Sequence, residues 1–337
     1  MSLSSSPAGR RVVLAARPVG RPRPSDFRIE PAPVEPPAPG EVQVAVHYVS
    51  VDPMLALLMG PRPLGGAVPP LPLGATVPGA ASGIVVSSND PRFSPGDAVE
   101  GRLGWQERAN VSGGALRKID RSHLATALGA LGLPGFSAWC GLRLVGPLAG
   151  KTVLISGASG AVGSIAGQLA RSAGAHVVGI AAGEAKCRHL TEGLGFHAAI
   201  DRTAVPASAW SERHAGQMDV YFDNVGGDMF FDVMPTLRRG ATVLVCGLMA
   251  EYADPVTPGS RTAVLTEVMA RQLRVIGFSN RDHVSEMPAF EREMEAHLRR
   301  GTVKLDQDLR HGLEGAIDHM AELFSGGVGG KRLVQLV

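Results

Sequence analysis

Residues 151–190 read KTVLISGASGAVGSIAGQLARSAGAHVVGIAAGEAKCRHL, and the fold turns on this stretch. Lys151 opens an apolar, β-rich segment (Val153, Leu154, Ile155) that runs into Gly157, Gly160 and Gly163. An amphipathic run from Ile165 to Ala173 follows, then a second apolar segment from Val177 to Ile180. The pattern is strand, tight turn, helix, strand. The glycines of such a unit permit the turn, let backbone N–H groups approach a pyrophosphate and let the helix pack closely on its strand. The helix N-terminus then presents its positive dipole end to the phosphates. The stretch therefore predicts a dinucleotide site.

Outward from it, the 337 residues leave room for a second domain of ordinary size. Apolar residues make up 45% of the chain, and Lys plus Arg total 33 against 31 for Asp plus Glu, a formal charge of +2. That balance generates no field that would recruit nucleic acid, so no nucleic-acid partner is expected. The basic N-terminus (Arg10, Arg11, Arg17, Arg21, Arg23) is interrupted by prolines and reads as a solvated edge. MSLSSSPAGRR lacks an apolar core ahead of its charges, and no run approaches the length of a membrane span, so neither a secretory signal nor a membrane segment is expected. Cys140, Cys187 and Cys246 are too scattered for a zinc cluster, and the ten histidines show no ligand spacing. A metal-free protein of the reducing cytoplasm is the expectation.

Upstream, residues 12–16 and 41–52 are strand-like, the latter with Val42, Val44 and Val46 on one face and Gln43 and His47 opposite. PAPVEPPAPG between them is neither helix nor central strand. The apolar run MLALLMG (54–60) and the coil after it form a candidate pocket wall, although Leu55 and Leu58 serve equally well as core. Short strands with turn punctuation fill 79–120 and suggest a partly barrel-like β-domain. From Leu124 the pattern turns helical, interrupted at Pro134, and a domain boundary is placed near residue 125.

Downstream, strands at 198–201, 219–226, 241–248 and 273–279 alternate with helices at 229–239, 261–272 and 288–301. Together with the opening unit they predict a doubly wound parallel sheet of six strands. The tail has a helix (Leu313 to Phe324) and a strand-like end, KRLVQLV, that rejoins the first domain. The expected organisation is thus α/β: a split β-rich domain (1–125 and 302–337) around an inserted Rossmann domain (126–301). The apolar segment LRVIGFS, near the edge of the sheet, favours pairing with a second copy, and a homodimer is expected.

The second strand of the opening unit ends in Ala181, Ala182 and Gly183, where an NAD site would place an acid on the ribose. Lys186 follows, so NADP(H) is the expected cofactor. Glu184 either holds a ribose hydroxyl or complements the dipole of the next helix. Arg202 is a second cation, a stacking surface for adenine or a plain surface arginine.

These residues, together with VLAARPVGRPRPSDFRIE (13–30), SVDP (50–53), GWQE (104–107), GLPGFSAW (132–139), SGASGAVGS (156–164), FDNVGG (222–227) and GK (330–331), resemble a known family. The chain is similar to the zinc-independent medium-chain dehydrogenases/reductases, in the branch of prostaglandin reductases, leukotriene dehydrogenases and alkenal double-bond reductases. The resemblance implies a partly open β-barrel catalytic domain and metal-free reduction by NADPH of the C=C bond of small lipophilic unsaturated aldehydes and ketones. It also implies that Gly160, Ala161 and Val162 lie on the pyrophosphate and Lys186 on the 2′-phosphate. Asn224, Cys246, Gly247, Phe278 and Ser279 would then border the nicotinamide half, with Tyr252 in the active site. Met54, Trp139, Met249 and Tyr252 are the implied substrate contacts.

The chain departs from that family at Met54, where a tyrosine is usual, at Ala56 for an arginine, Val328 for an asparagine, Trp139 for a tyrosine and Arg202 for a tyrosine. The negative charge that develops on the substrate carbonyl oxygen needs a donor. Tyr252 is one candidate, the nicotinamide ribose hydroxyl another, and Tyr252 could instead be a loop-packing aromatic. Reduction of a quinone or iminium, or cofactor binding without turnover, are the alternatives to enone reduction.

Overall fold

In the computed structural model, which describes residues 9–60, 69–253, 261–324, 327 and 329–337, the chain divides into two units. Unit 1 comprises the described residues within Met1–Leu128, Gln307–Gly327 and Arg332–Val337; unit 2 those within Gly129–Asp306 and Val328–Lys331. The first boundary lies beyond residue 125 and the second beyond 302, and a short stretch before Arg332 belongs with unit 2.

Unit 1 carries β1 (Gly9–Leu14), β2 (Phe27–Ala32), β3 (Glu41–Ser50), α1 (Leu55–Met59), β4 (Ala81–Ser88), β5 (Ala98–Gly101), β6 (Arg108–Ser112) and β7 (Leu116–Lys118). β1 and β2 form an antiparallel ribbon. The valines of β3 are buried as its alternation requires, but so is Gln43 on the other face. Its Nε2 donates to the carbonyl of Glu35 (2.8 Å) and to Asn110 Oδ1 (3.1 Å), so the proline-rich connection covers a side expected to face water. The apolar run at 54–60 forms the short helix α1, which buries Leu55, Ala56 and Met59, with Met54 before it 41% exposed. Much of the coil after it, 61–68, lies outside the described residues.

Unit 2 follows with α2 (Leu133–Val145), β8 (Thr152–Ile155), α3 (Ala161–Ser172), β9 (His176–Ala181), α4 (Glu184–Arg188), β10 (Ala198–Asp201), α5 (Ala207–Arg213), β11 (Met218–Asp223), α6 (Gly227–Val233), β12 (Leu237–Val245), α7 (Met249–Ala253), α8 (Arg261–Arg271), β13 (Arg274–Gly277) and α9 (Met287–Arg300). Pro134 does not interrupt a helix from Leu124. It stands in the first turn of α2, where its missing N–H costs nothing, and short 3-10 turns precede it. Pro235 ends the α6 region early, so β12 starts at Leu237, inside the segment expected to be helical.

The six strands of unit 2 form a sheet in the order β10-β9-β8-β11-β12-β13, every resolved pair parallel. Alternate residues feed two cores: Val153, Ile155, Val220 and Phe222 on one face, Leu154, Tyr221, Val178 and Val243 on the other. Chain order reverses between β8 and β11. In a parallel sheet this switch point opens a crevice at the carboxyl ends of the strands.

The tail, β14 (Gln307–His311), α10 (Gly312–Glu322) and β15 (Lys331–Gln335), returns to unit 1, where β15 pairs antiparallel with β3 in a seven-stranded sheet.

Candidate cofactor and active site

The turn after β8 is built for close approach. Gly157 sits at φ +56, and a Cβ on Gly163 would stand 2.4 Å from the carbonyl oxygen of Gly157 and 2.8 Å from the Cα of Ala158. Only glycine lets α3 begin against its own turn. The N-cap of α3 is Gly160, with no side-chain cap, so the first N–H groups of the helix, those of Ala161 and Val162, are turned toward the crevice without an intrahelical partner. The C-terminal GGK segment lies along the same turn: Gly330 N donates to the carbonyl of Ser159 (2.7 Å), and Gly160 and Gly330 form a parallel bridge. Val328 lies outside the described residues.

At the end of β9 no acid approaches the turn from its own sequence. Gly183 stands at φ +91, with nothing within 4 Å of the position a Cβ would take. Lys186, half-buried, lies in the first turn of α4, and the exposed Arg202 is tied by its N–H to the carbonyl of Ala181 (3.0 Å). Glu184 is engaged with Arg188. A carboxylate that touches the turn is that of Asp201, whose Oδ1 accepts from Gly183 N (2.9 Å) and from both the N–H and the hydroxyl of Thr203 (2.9 and 2.6 Å). Those donors hold its carboxyl below the usual range and occupy its charge. An open glycine turn, a lysine and an arginine fit a 2′-phosphate, and the uncapped α3 fits a pyrophosphate.

The ends of β11 and β12 meet beside this turn. Asn224 Nδ2 donates to the carbonyl of Ser156 (2.8 Å), and Cys246 N and Gly247 N donate to the carbonyl of Asp223 (2.8 and 3.1 Å). Burial, together with the Asp223 carboxylate, pushes the Cys246 thiol up to about 12, so it is no nucleophile. Met249 N donates to the carbonyl of Asn224 (3.2 Å), which places α7 and its Tyr252. Tyr252 Oη accepts from Leu248 N (3.1 Å) and is half-buried; desolvation raises its pKa, against the pull of that N–H. The phenol is therefore held as an acid whose proton is not spent on the bond that orients it.

Phe278, half-buried against the ring of His283, and Ser279, whose hydroxyl caps the following 3-10 helix by accepting from Arg281 N (3.3 Å), stand at the end of β13. Trp139 does not join these groups. It is 4% exposed, packs with Phe136 and Phe290 in the core of unit 2, and donates from Nε1 to Glu293 Oε2 (2.7 Å). The larger ring is absorbed by packing, which corrects its assignment as a substrate contact. Met54 belongs to unit 1. Sequence reasoning passed over Ser156 and Asp223, which join the strand ends; the signal available was an acid closing the apolar run Val220, Tyr221, Phe222. Among the described residues no group of three or more His, Cys, Asp or Glu side chains could hold a metal ion, and no helix is long and apolar enough to cross a membrane.

A parallel sheet whose switch point carries a glycine turn at the start of a helix is the architecture of a dinucleotide-binding domain. Residues 10–119 match the family model described as the N-terminal domain of oxidoreductase, and residues 161–296 that described as zinc-binding dehydrogenase. The chain is 35% identical to the NADPH-dependent curcumin reductase of Escherichia coli over 335 residues, 97% of this chain and 96% of that protein. It is 31% identical to the 2-alkenal reductase (NADP(+)-dependent) of Nicotiana tabacum, covering 98% of each. CurA from Vibrio vulnificus, solved in complex with NADPH, superposes with a TM-score of 0.91 at 33% identity over 97% of this chain and 99% of that one. The chain belongs to the zinc-independent branch of the medium-chain dehydrogenase/reductase superfamily. It is an NADP-dependent oxidoreductase.

Proposed function

We propose that the chain reduces the C=C bond of small lipophilic α,β-unsaturated aldehydes and ketones, as a homodimer in the cytoplasm. The names of its relatives, curcumin reductase and 2-alkenal reductase, support the substrate class. The observation that carries the reading is Tyr252, oriented by Leu248 N with its own proton uncommitted to that bond.

In this reading the N–H groups of Ala161 and Val162 and the turn from Gly157 to Gly163 hold the pyrophosphate, and Lys186 and Arg202 the 2′-phosphate. Asn224, Cys246, Gly247, Phe278 and Ser279 border the nicotinamide half. When bound, NADPH supplies the hydride that adds to the substrate Cβ and leaves as NADP+, the C=C electron pair moving toward the carbonyl oxygen. Tyr252 donates its O–H to that oxygen as charge develops there. A proton delivered to Cα by water or a nearby hydroxyl completes the saturated carbonyl. Met249, at the start of the Tyr252 helix, offers a soft apolar contact within unit 2, and Met54 is the substrate-selecting position we assign in unit 1.

The test is loss of NADPH absorbance over a panel of enals, enones and quinones. Enals and enones are expected to turn over, and Tyr252→Phe to lower kcat by about a hundred-fold with NADPH affinity retained. Tight NADPH binding without turnover of any of them would sink the enzyme reading. An unchanged rate in Tyr252→Phe would move the donor role to the ribose hydroxyl or water.

A further inference from the structure

We propose that Asp223 is a positioning residue, its carboxylate tying the end of β8 to the loop that leaves β11, with the end of β12 held on its main-chain carbonyl, so that the nicotinamide half of the cofactor finds its seat preformed. Asp223 is fully buried at the end of β11. Its Oδ1 accepts four hydrogen bonds: from Tyr221 Oη (2.7 Å), Ser156 Oγ (2.8 Å), Val225 N (2.9 Å) and Gly226 N (3.0 Å). Its Oδ2, equally buried, has no hydrogen-bond partner among the described residues. A buried carboxylate that leaves one oxygen unused is a poor stability device, because the desolvation of that oxygen is not repaid.

What the residue does accomplish is convergence. Ser156, the last residue before the glycine turn, donates to Asp223 and accepts from Asn224 N (3.0 Å) on the same hydroxyl. The carbonyl of Asp223 takes Cys246 N and Gly247 N, while those of Asn224 and Val225 take Met249 N (3.2 Å) and Ala250 N (2.9 Å). The end of β8 and the loop after β11 thus meet on one side chain, and the end of β12 and, through α7, the Tyr252 hydroxyl hang on the main chain of that residue and its two successors. Bonds to a charged acceptor are the stronger kind, and the charge fixes the Val225 and Gly226 amides in a tight loop. The placement of the nicotinamide half at these strand ends rests on the reading given under Proposed function; the cofactor itself does not.

The test uses the full chain with Asp223→Asn, which keeps the shape of the side chain and removes its charge. Two ligands are titrated: NADPH, and 2′,5′-ADP, which carries the adenosine and 2′-phosphate but no nicotinamide. NADPH affinity is expected to fall by about ten-fold or more while that of 2′,5′-ADP changes by less than about two-fold, the split that loosened positioning at one end of the site produces. Equal loss for both ligands, as general damage would cause, or loss for neither, overturns the proposal. If Asp223→Asn does not fold, Ser156→Ala removes one donor to Oδ1 and the acceptor for Asn224 N. It is expected to show the same split at about three-fold, and equal or absent loss overturns the proposal there too. Both readouts are binding, so a wild-type protein that binds NADPH and reduces nothing refutes the enone reading and leaves this test intact.

Discussion

Lys186 is the residue on which the expected cofactor preference rests. Its place after an acid-free strand end pointed to a 2′-phosphate, and the structure sets it in the first turn of α4, three residues after the open turn at Gly183. We expect Lys186→Ala to raise the KM for NADPH by about ten-fold and to leave that for NADH little changed, since a charge-assisted bond to a phosphate is what is lost. Steady-state kinetics with both cofactors decides it: a parallel rise in both constants would assign Lys186 to folding of the turn. Asp201 was not legible in the same way. An acid at a third strand end says nothing of the N–H it accepts from, and Gly183 is brought to it only by the pairing of β10 with β9. Trp139 carried a misleading signal, because a family position marks a substrate contact only while the side chain there still points to the crevice. Here the indole is held by Glu293 and by the Arg143 guanidinium, 4.5 Å from the ring centroid.

At the scale of elements, the segments with strong periodicity appeared where expected, and those governed by proline shifted. Both Pro134 and Pro235 mark boundaries, but whether a proline starts or stops a helix depends on which side the chain gains packing. β13 is the element whose surroundings the sequence suggested best. It ends the sheet order with β12 as its one neighbour among the described strands, and Val275 is 46% exposed. On α8, Leu265 (68%) and Met269 (75%) are one helical turn apart and exposed as well. An apolar edge strand and an exposed apolar helix face each favour pairing with a second copy. Sedimentation at micromolar concentration is expected to show a dimer, and Val275→Asp to shift it toward monomer by placing a charge on the pairing edge. A monomeric wild-type chain would reject this assignment.

For the molecule as a whole, the buried His319 and three less buried histidines make acid unfavourable to the folded state. His319 in α10 is fully buried; its Nε2 lies 3.2 Å from the carbonyls of Asp308 and Leu333, and its Nδ1 has no hydrogen-bond partner. Burial lowers its pKa; the Asp308 carboxylate 3.8 Å from Nδ1 opposes this, and the Arg310 and Arg332 guanidiniums reinforce it. His47, His197 and His297 are lowered as well, burial being the largest cause for each. The folded state therefore takes up protons at these rings less readily than the unfolded chain, which does so near an ordinary imidazole pKa. The contribution is complete above about pH 6.5 and is lost as pH falls through the lowered folded values. The Asp90 carboxyl, held at about 2 chiefly by hydrogen bonds from Arg92, stays ionised through that window and does not blur it. Melting temperature is expected to fall from about pH 7.5 to about pH 5.5, and His319→Gln to flatten that slope. Parallel slopes for variant and wild type would assign the acid sensitivity elsewhere. The sequence by itself determined the two-part organisation, the parallel sheet and the dinucleotide turn, because strand period, helix period and glycine spacing are local properties that survive without partners. It did not determine Ser156 and Asp223 as the junction of the strand ends, since these are 67 residues apart and meet only when β8 and β11 lie side by side. Nor did it determine the fate of Trp139, whose partner Glu293 is 154 residues away. Only the tertiary structure brings such groups within hydrogen-bond distance, so only there was the inside of the site decided.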